Sequence, residues 1–301
     1  MKKKILLILA LVLSFVGCKK PPEGAVAEID GKVISQDAYD FEFKNYKNIY
    51  QSNADEEFSK LTTDQAESQD LILKKGVLEK LIMRATIEKE YLKYHEDIDE
   101  KTFEKAFEAK IEDLGGHDNY NKFLEMNKID EEFFKASLIE NLMVDAIKAD
   151  YKKEFSLADE DLKAYYEDHK EELYRYDISM ILTDTSDNAY KIMRSHDSFR
   201  NLAILNSKDP FSAVNGGELK AVDPADLPDE LVDYVKKGPV GEYADPIESP
   251  EGFYVLRVDK VYKDYDSLIE VVKEKLFEEE FKKHLEELRD SNHVKVYMDL
   301  K

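Results

Sequence analysis

Apolar residues recur at helical spacing through most of the first half of the chain. From residue 36 to Leu173 they fall three or four positions apart, which places them on one face of a helix. Two of the clearest runs are Leu71, Val77, Leu78, Leu81, Ile82 and Ala85, and Phe133, Phe134, Leu138, Leu142 and Ala146. Helix-start residues precede three of the predicted helices: Asp99, Asp130, and either Ser156 or Asp159. This half of the chain is therefore predicted to be almost entirely helical.

Strand signals lie near both ends of the chain. Residues 25–29 alternate loosely between apolar and polar, Asp30-Gly31 is a hairpin turn signal, and Ser35 suits a helix N-cap. Near the other end, residues 266–290 have the spacing of an amphipathic helix, and residues 293–298 alternate as in a strand. The chain is thus predicted to open with a hairpin and to close with a helix followed by a strand.

The pattern changes between residues 174 and 263. A short strand signal, Asp177–Leu182, and a short helix precede the stretch Asn206–Leu219, which holds a lone acid, Asp209, and the pair Gly216-Gly217. Glycine pairs supply backbone angles that other residues avoid, so this pair predicts a tight turn where the chain passes close to another segment. An ordinary surface loop that contains an acid is the alternative interpretation.

Four blocks of this region, taken in order, resemble the parvulin family of peptidyl-prolyl isomerases. They are the strand Asp177–Leu182; Phe199, Leu202 and Ala203, which match F-x-x-L-A; Ser207, Asp209 and Asn215–Leu219, which match the Ser-x-Asp…Asn-Gly-Gly-Glu-Leu block; and Gly241–Leu256, which matches the closing G-E-x-x-x-P block. The resemblance implies an FKBP-like, four-stranded antiparallel sheet with helices, and a groove that accepts a proline ring.

The resemblance also assigns roles to individual residues of this groove. Asp209 stands at the pocket acid of the family, and Ser249 stands at its Ser or Thr. The two motif histidines are replaced, by Met180 in the first strand and by Tyr254 in the last. The predicted catalytic residues are Asp209, Ser249 and Tyr254, and the predicted peptide-binding residues are Met180, Leu227, Leu231 and Phe253. Core packing is the alternative interpretation for Met180 and Tyr254.

Loss of both histidines bears on the rate of the implied reaction. Rotation about a peptide bond has a barrier of roughly 18–20 kcal/mol, and lowering it at an Xaa-Pro bond needs an apolar socket and a polar network rather than a nucleophile or a metal. Polar networks act through preorganisation, so the loss of orienting partners lowers rate more than binding. The sequence therefore predicts a domain that holds proline-containing peptide with weak or absent isomerase activity.

The opening of the chain resembles SurA- and PrsA-type secreted foldases. The match rests on V-A-x-I-D-G-x-x-I at residues 26–34, and on the turn Gly115-Gly116 followed by two helices. The resemblance implies an α+β protein with a mostly helical chaperone domain into which the parvulin-like domain is inserted, the closing strand pairing with the opening strand. The predicted segments are a signal peptide at 1–17, a lipidated Cys and linker at 18–24, a helical domain at 25–173, a parvulin-like domain at 174–263 and a returning helix and strand at 264–301.

The N-terminus predicts export and lipidation. Three lysines precede an apolar run from Ile5 to Val16, which is shorter than the roughly 20 residues that span a bilayer and fits a secretory signal. Cys18, the only cysteine, follows Gly17 directly, as in a bacterial lipobox, so cleavage before Cys18 and lipid on this residue are expected. A free thiol at Cys18 is the alternative. With one cysteine there is no disulfide framework.

Composition excludes several other classes of function. The formal charge of −22 repels nucleic acid and anionic lipid, and hydrophobic residues at 43% exclude a disordered chain. None of the six histidines pairs at H-x-x-x-H spacing or with a cysteine, so no metal site is expected, and no phosphate loop or G-x-S-x-G motif is present. No cofactor is predicted.

These observations predict a foldase or chaperone outside the cytoplasm, anchored to a bacterial membrane through Cys18, with unfolded or secreted polypeptides as clients. In a cell with two membranes, Lys19 after the cysteine indicates the outer membrane and periplasm. Two alternatives stay open: an active peptidyl-prolyl isomerase, and a scaffolding lipoprotein of the envelope. Oligomeric state is also open, a homodimer being one option.

Overall fold

A computed structural model describes residues 21–53 and 63–300. The signal segment and Cys18, with its predicted lipidation, lie outside the described residues. In the part that is described, no helix has the length and apolar character needed to cross a membrane.

The chain divides into two compact units. The first, called here the helical unit, runs to Phe155 and resumes at Glu280, and the second, the sheet unit, is Ser156–Glu279. The sheet unit is wider than the predicted parvulin-like segment 174–263. The reason is a shared core in which side chains from before and after that segment pack together: Leu162, Tyr166 and Leu173 with Leu268, Val272 and Leu276.

Five helices and the end of a sixth build the described part of the helical unit: α1 (Gln36–Asn53), α2 (Thr63–Tyr91), α3 (Glu100–Asp113), α4 (His117–Asn127), α5 (Glu131–Glu154) and the last part of α11 (Tyr265–Ser291). Asp99 caps α3 as predicted, accepting from Thr102 N–H at 2.9 Å. Asp130 precedes α5 as predicted, but its carboxylate bonds Lys44 and Asn45 instead of capping the helix. The predicted break at Gly115-Gly116 separates α3 from α4, both glycines having positive φ.

A three-stranded antiparallel sheet joins the two ends of the helical unit. Its order is β2-β1-β7, with β1 (Ala25–Ile29), β2 (Lys32–Ser35) and β7 (Val294–Val296). Ala27 pairs with Val296, and Ile29 pairs with Val294. The pairing of the closing strand with the opening strand is the one that the foldase resemblance implies.

The core of the helical unit contains a buried cluster of charges. Arg84 of α2 donates to Glu42 of α1, and its Nε donates to Glu140 of α5 at 2.8 Å. Lys80 adds a second cation, 2.5 Å from Glu140. Because each charge is paired, the three helices are held together by polar contacts inside an otherwise apolar core.

The sheet unit is built on a four-stranded antiparallel sheet of order β4-β3-β6-β5. Its elements, in chain order, are α6 (Asp159–Leu173), β3 (Arg175–Thr183), α7 (Ser186–Met193), α8 (Phe199–Asn206), α9 (Pro210–Ala213), β4 (Glu218–Val222), α10 (Asp229–Lys237), β5 (Ile247–Ser249), β6 (Gly252–Tyr262) and the first part of α11. The α+β class, with a mostly helical part and a four-stranded antiparallel sheet, is as predicted.

Helices cover both faces of this sheet, because side chains alternate along each strand. One face carries Met180, Leu182, Tyr254 and Leu256, which pack with Leu231 and Val235 of α10. The other face carries Ile181 and Val255, which pack with Ala189 of α7 and Ala203 of α8. The face that meets α10 is the one on which most of the predicted groove residues lie.

Candidate functional site

The apolar part of the candidate groove is built by two paired strands and α10. Met180 pairs with Leu256 across β3 and β6, and Leu182 pairs with Tyr254. Met180, Leu231 and Tyr254 are 6%, 0% and 3% exposed, so all three are core side chains. Leu227, just before α10, is half-buried at the margin of the same cluster. Of the predicted apolar residues here, Leu227 is the one with substantial exposed surface.

Phe253 does not join these residues. It follows Gly252 in β6 and packs on the opposite face of the sheet with Ile181 and Ala189. Adjacent strand residues point to opposite faces, so Phe253 and Tyr254 cannot both line one groove. The prediction that groups them is therefore corrected: Tyr254 lies on the α10 face, and Phe253 lies on the face covered by α7 and α8.

The Gly216-Gly217 pair makes the close approach that the sequence predicts. Gly217 has φ +79°, and a Cβ there would lie 2.7 Å from Met180 O and 2.9 Å from Ala203 Cβ. The Gly217 carbonyl in turn accepts from Met180 N–H at 2.8 Å. The glycine therefore fastens the segment that follows Asp209 against strand β3.

Asp209 lies directly before the short helix α9. One carboxylate oxygen accepts from Ser212 N–H at 3.1 Å, and its own N–H donates to Ser207 Oγ at 3.3 Å. The preceding residue, Lys208, donates its N–H to Leu182 O at 2.8 Å. Because Leu182 is the cross-strand partner of Tyr254, this bond brings Asp209 to the end of the sheet where Tyr254 lies.

Tyr254 keeps its hydroxyl in a polar setting although its ring is buried. The Oη donates to Glu251 Oε2 at 3.2 Å. Burial raises the pKa of Tyr254 to about 12, and the negative charges of Glu251, Asp209 and Glu230 act in the same direction. The phenol therefore stays protonated at physiological pH.

Ser249 is hydrogen-bonded within the turn between β5 and β6, and its catalytic role stays a prediction. Its Oγ donates to Gly252 O at 3.2 Å and accepts from Glu251 N–H at 3.2 Å, so it closes the turn between β5 and β6. This turn presents Glu251, a residue that the sequence reasoning missed. The available signal was its place three residues before Tyr254, within reach of the Tyr254 hydroxyl across the turn. Among the residues that the model describes, no group of three or more His, Cys, Asp and Glu could hold a metal ion.

Comparison with known proteins identifies two domains in the chain. Residues 1–148 match the family model of the SurA-like N-terminal domain, and residues 157–274 match the model of the PPIC-type PPIase domain. The second match spans the sheet with α6 and part of α11, as the compact sheet unit does. The chain belongs to the proteins that combine a SurA-like N-terminal domain with a parvulin domain.

Within that class the similar proteins are PrsA foldases. The foldase protein PrsA of Caldanaerobacter subterraneus subsp. tengcongensis is 24% identical, over 96% of this chain and 94% of its own length. That of Clostridium botulinum strain Langeland is also 24% identical, over 98% of this chain and 97% of its own length. A solved structure, foldase protein PrsA from Streptococcus pneumoniae, is 20% identical and covers 86% of this chain and 87% of its own, with a TM-score of 0.48.

Proposed function

We propose that this protein is an extracytoplasmic bacterial foldase that holds unfolded polypeptide and accelerates prolyl isomerisation weakly or not at all. The observation that carries the proposal is the pair of residues at the motif histidine positions. Met180 and Tyr254 are core side chains, while the sheet, the Gly217 contact and the pocket acid Asp209 are retained. The groove keeps its backbone frame but has no imidazole at either position. We therefore expect peptide binding to be retained while the rate of isomerisation is lowered.

The helical unit offers apolar surface for unfolded clients. Rings from α3, α4 and α5 contact one another with centroids 5.1 to 6.2 Å apart: Phe107, Tyr120, Phe123 and Phe134. Phe107, Phe123 and Phe134 are half-buried, and Met126 of α4 is 74% exposed. Methionine and aromatic side chains adapt to varied apolar partners. We assign this surface, called here the aromatic surface, to unfolded segments of client proteins.

An active isomerase is the second candidate, and one observation favours it. Asp209, Tyr254 and Glu251 put two carboxylates and a phenol at one end of the sheet, which is a polar network of a different composition from the histidine pair. Such a network stabilises a twisted amide if its donors face the prolyl carbonyl. The two candidates therefore differ in rate and agree on the site.

An isomerisation assay on a proline-containing tetrapeptide separates the two candidates. The chain from Lys19 onward is compared with Asp209→Ala and with Asp168→Ala, an exposed acid within α6 that serves as the control. The foldase proposal expects peptide binding with little acceleration, and little further change in Asp209→Ala. Acceleration comparable to active parvulins that is lost in Asp209→Ala and kept in Asp168→Ala would establish the enzyme instead.

Membrane attachment through Cys18 completes the proposal. Its support is the apolar run Ile5–Val16 and the cysteine directly after Gly17. Attachment would place the helical unit at the membrane surface, where exported chains emerge unfolded. Fractionation of cells that express the whole chain tests this: the wild type is expected in the membrane fraction and Cys18→Ser in the soluble fraction. Equal distribution of the two would refute the anchor and leave the groove proposal untouched.

A further inference from the structure

Glu251 is held in one place by the turn between β5 and β6. Its N–H donates to Ser249 Oγ, and that hydroxyl donates to Gly252 O, both at 3.2 Å. Gly252 has φ +141°, and a Cβ there would lie 2.2 Å from Thr183 O. Because no side chain fits at residue 252, the turn is specified tightly, and the backbone of Glu251 is fixed beside the last strand.

The Glu251 carboxylate accepts the one hydrogen bond that the Tyr254 hydroxyl can donate. The distance from Oη to Oε2 is 3.2 Å, and a phenol has one O–H donor. The ring of Tyr254 is buried among the apolar side chains of the α10 face, so its hydroxyl position is restricted. The O–H group of Tyr254 therefore points toward Glu251 in the β5–β6 turn.

Asp209 is a second carboxylate whose charge acts on the Tyr254 hydroxyl. The bond from Lys208 N–H to Leu182 O at 2.8 Å, and the pairing of Leu182 with Tyr254, bring Asp209 to the same end of the sheet as the Tyr254 hydroxyl. The charge of Asp209 is felt there, because it helps to raise the pKa of Tyr254 after burial and Glu251. In the structure one carboxylate oxygen of Asp209 accepts from Ser212 N–H, and the Tyr254 hydroxyl donates its hydrogen bond to Glu251.

We infer that Glu251 is a positioning residue which keeps the Tyr254 hydroxyl away from the pocket acid Asp209, and that this contact limits the isomerase activity of the groove. The inference rests on the proposed function, since it requires a groove that binds proline-containing peptide. Tyr254 stands where the parvulin motif has a histidine, and its donor is committed to the turn instead of to the acid. Removal of Glu251 leaves Asp209 ahead of Glu230 as the carboxylate whose charge acts most strongly on that donor.

The test compares four forms of the chain from Lys19 onward: wild type, Glu251→Ala, Glu251→Gln and Glu251→Ala with Tyr254→Phe. Isomerisation rate and Kd are measured with one proline-containing tetrapeptide. Glu251→Ala is expected to raise kcat/KM roughly tenfold, which is about 1.4 kcal/mol of activation free energy, while Kd changes little. Glu251→Gln keeps a carbonyl acceptor and is expected to behave as the wild type. The double variant is expected to lose the gain.

The pH profile separates positioning from a structural role. Burial raises the pKa of Tyr254 to about 12, so its hydroxyl keeps its proton and the gain in Glu251→Ala stays constant from about pH 6 to 9. A contact that served structure alone would give a lower Tm and weaker binding in Glu251→Ala, with no gain in rate.

Two results overturn the inference while the groove proposal stands: Glu251→Ala as slow as the wild type, or a gain that persists in the double variant. A wild-type chain that binds no proline-containing peptide would overturn the groove proposal and this inference together. Because binding and rate are measured on the same samples, the two failures are distinguishable.

Discussion

Replacing Gly217 by alanine tests whether close packing against β3 fixes the candidate groove. Gly217 has φ +79°, and an added Cβ would lie 2.7 Å from both Met180 O and Phe199 Cε1, and 2.9 Å from Ala203 Cβ. Two of these three neighbours, the backbone carbonyl of Met180 and the methyl group of the buried Ala203, cannot rotate away. The substitution must therefore displace either strand β3 or helix α8.

The magnitude follows from two contributions. A left-handed backbone costs a non-glycine residue about 1–2 kcal/mol, part of which is offset by about 0.4–1 kcal/mol of reduced unfolded-chain entropy. Overpacking a closely packed core costs about 1–3 kcal/mol more. We expect Gly217→Ala to lower the free energy of unfolding of the sheet unit by about 2–4 kcal/mol.

Gly241→Ala is the matched control in the same unit. Gly241 has φ +86°, but an added Cβ would meet nothing within 4 Å, so only the backbone cost applies, about 1 kcal/mol. Because the chain has two units, hydrogen exchange at the amides of β3 is a better measure than one global transition. Equal loss of protection in the two variants would refute the argument that close approach requires glycine at 217.

Three further predictions concern the helical unit. Glu42→Ala leaves the buried Arg84 with one partner fewer and is expected to cost about 3 kcal/mol in urea unfolding; a cost below about 1 kcal/mol would contradict the buried-charge argument. Hydrogen bonds from Lys89 and from the backbone N–H of His293 lower the pKa of Asp30 in the folded protein. The contribution of Asp30 to stability is therefore complete above the ordinary pKa of aspartate, near 3.9, and is lost as pH falls through the lower folded pKa. The stability difference between wild type and Asp30→Asn is therefore expected at pH 7 and absent at about pH 2, and an equal difference at both pH values would contradict it. Met126→Ser is expected to weaken suppression of client aggregation without changing Tm. The control Lys122→Ser, on the same helix, is expected to change neither suppression nor Tm. Unchanged suppression in Met126→Ser would remove Met126 from the aromatic surface.

Local signals in the sequence were sufficient for most of the fold. Helical periodicity, the cap at Asp99 and the break at Gly115-Gly116 act over a few residues, so a single sequence contains them. The order of the parvulin-like blocks predicted the four-stranded sheet. The compact sheet unit extends beyond the predicted segment 174–263, because α6 packs on the first part of α11; this packing joins segments about a hundred residues apart and leaves no local sequence signal.

The site was less predictable because its polar contacts depend on side-chain geometry. The Ser249 hydroxyl bonds within the β5–β6 turn, and the hydrogen bond from Tyr254 to Glu251 depends on how that turn folds. Asp130 is a similar case. The sequence predicts its position before α5, but its hydrogen bonds to Lys44 and Asn45 form only in the tertiary structure. The placement of Phe253 was a different kind of error, since the two-residue period of a strand already separates it from Tyr254.

The pairing of β1 with β7 has a consequence for the order in which the two units can fold. The sheet unit is one continuous stretch, Ser156–Glu279, so all of its residues precede β7 in the chain. The helical unit has to wait for Val294–Val296, because until then the edge of β1 lacks its partner. A product truncated before residue 294 would therefore expose an unpaired strand edge at its beginning, which invites aggregation and marks the incomplete chain for degradation.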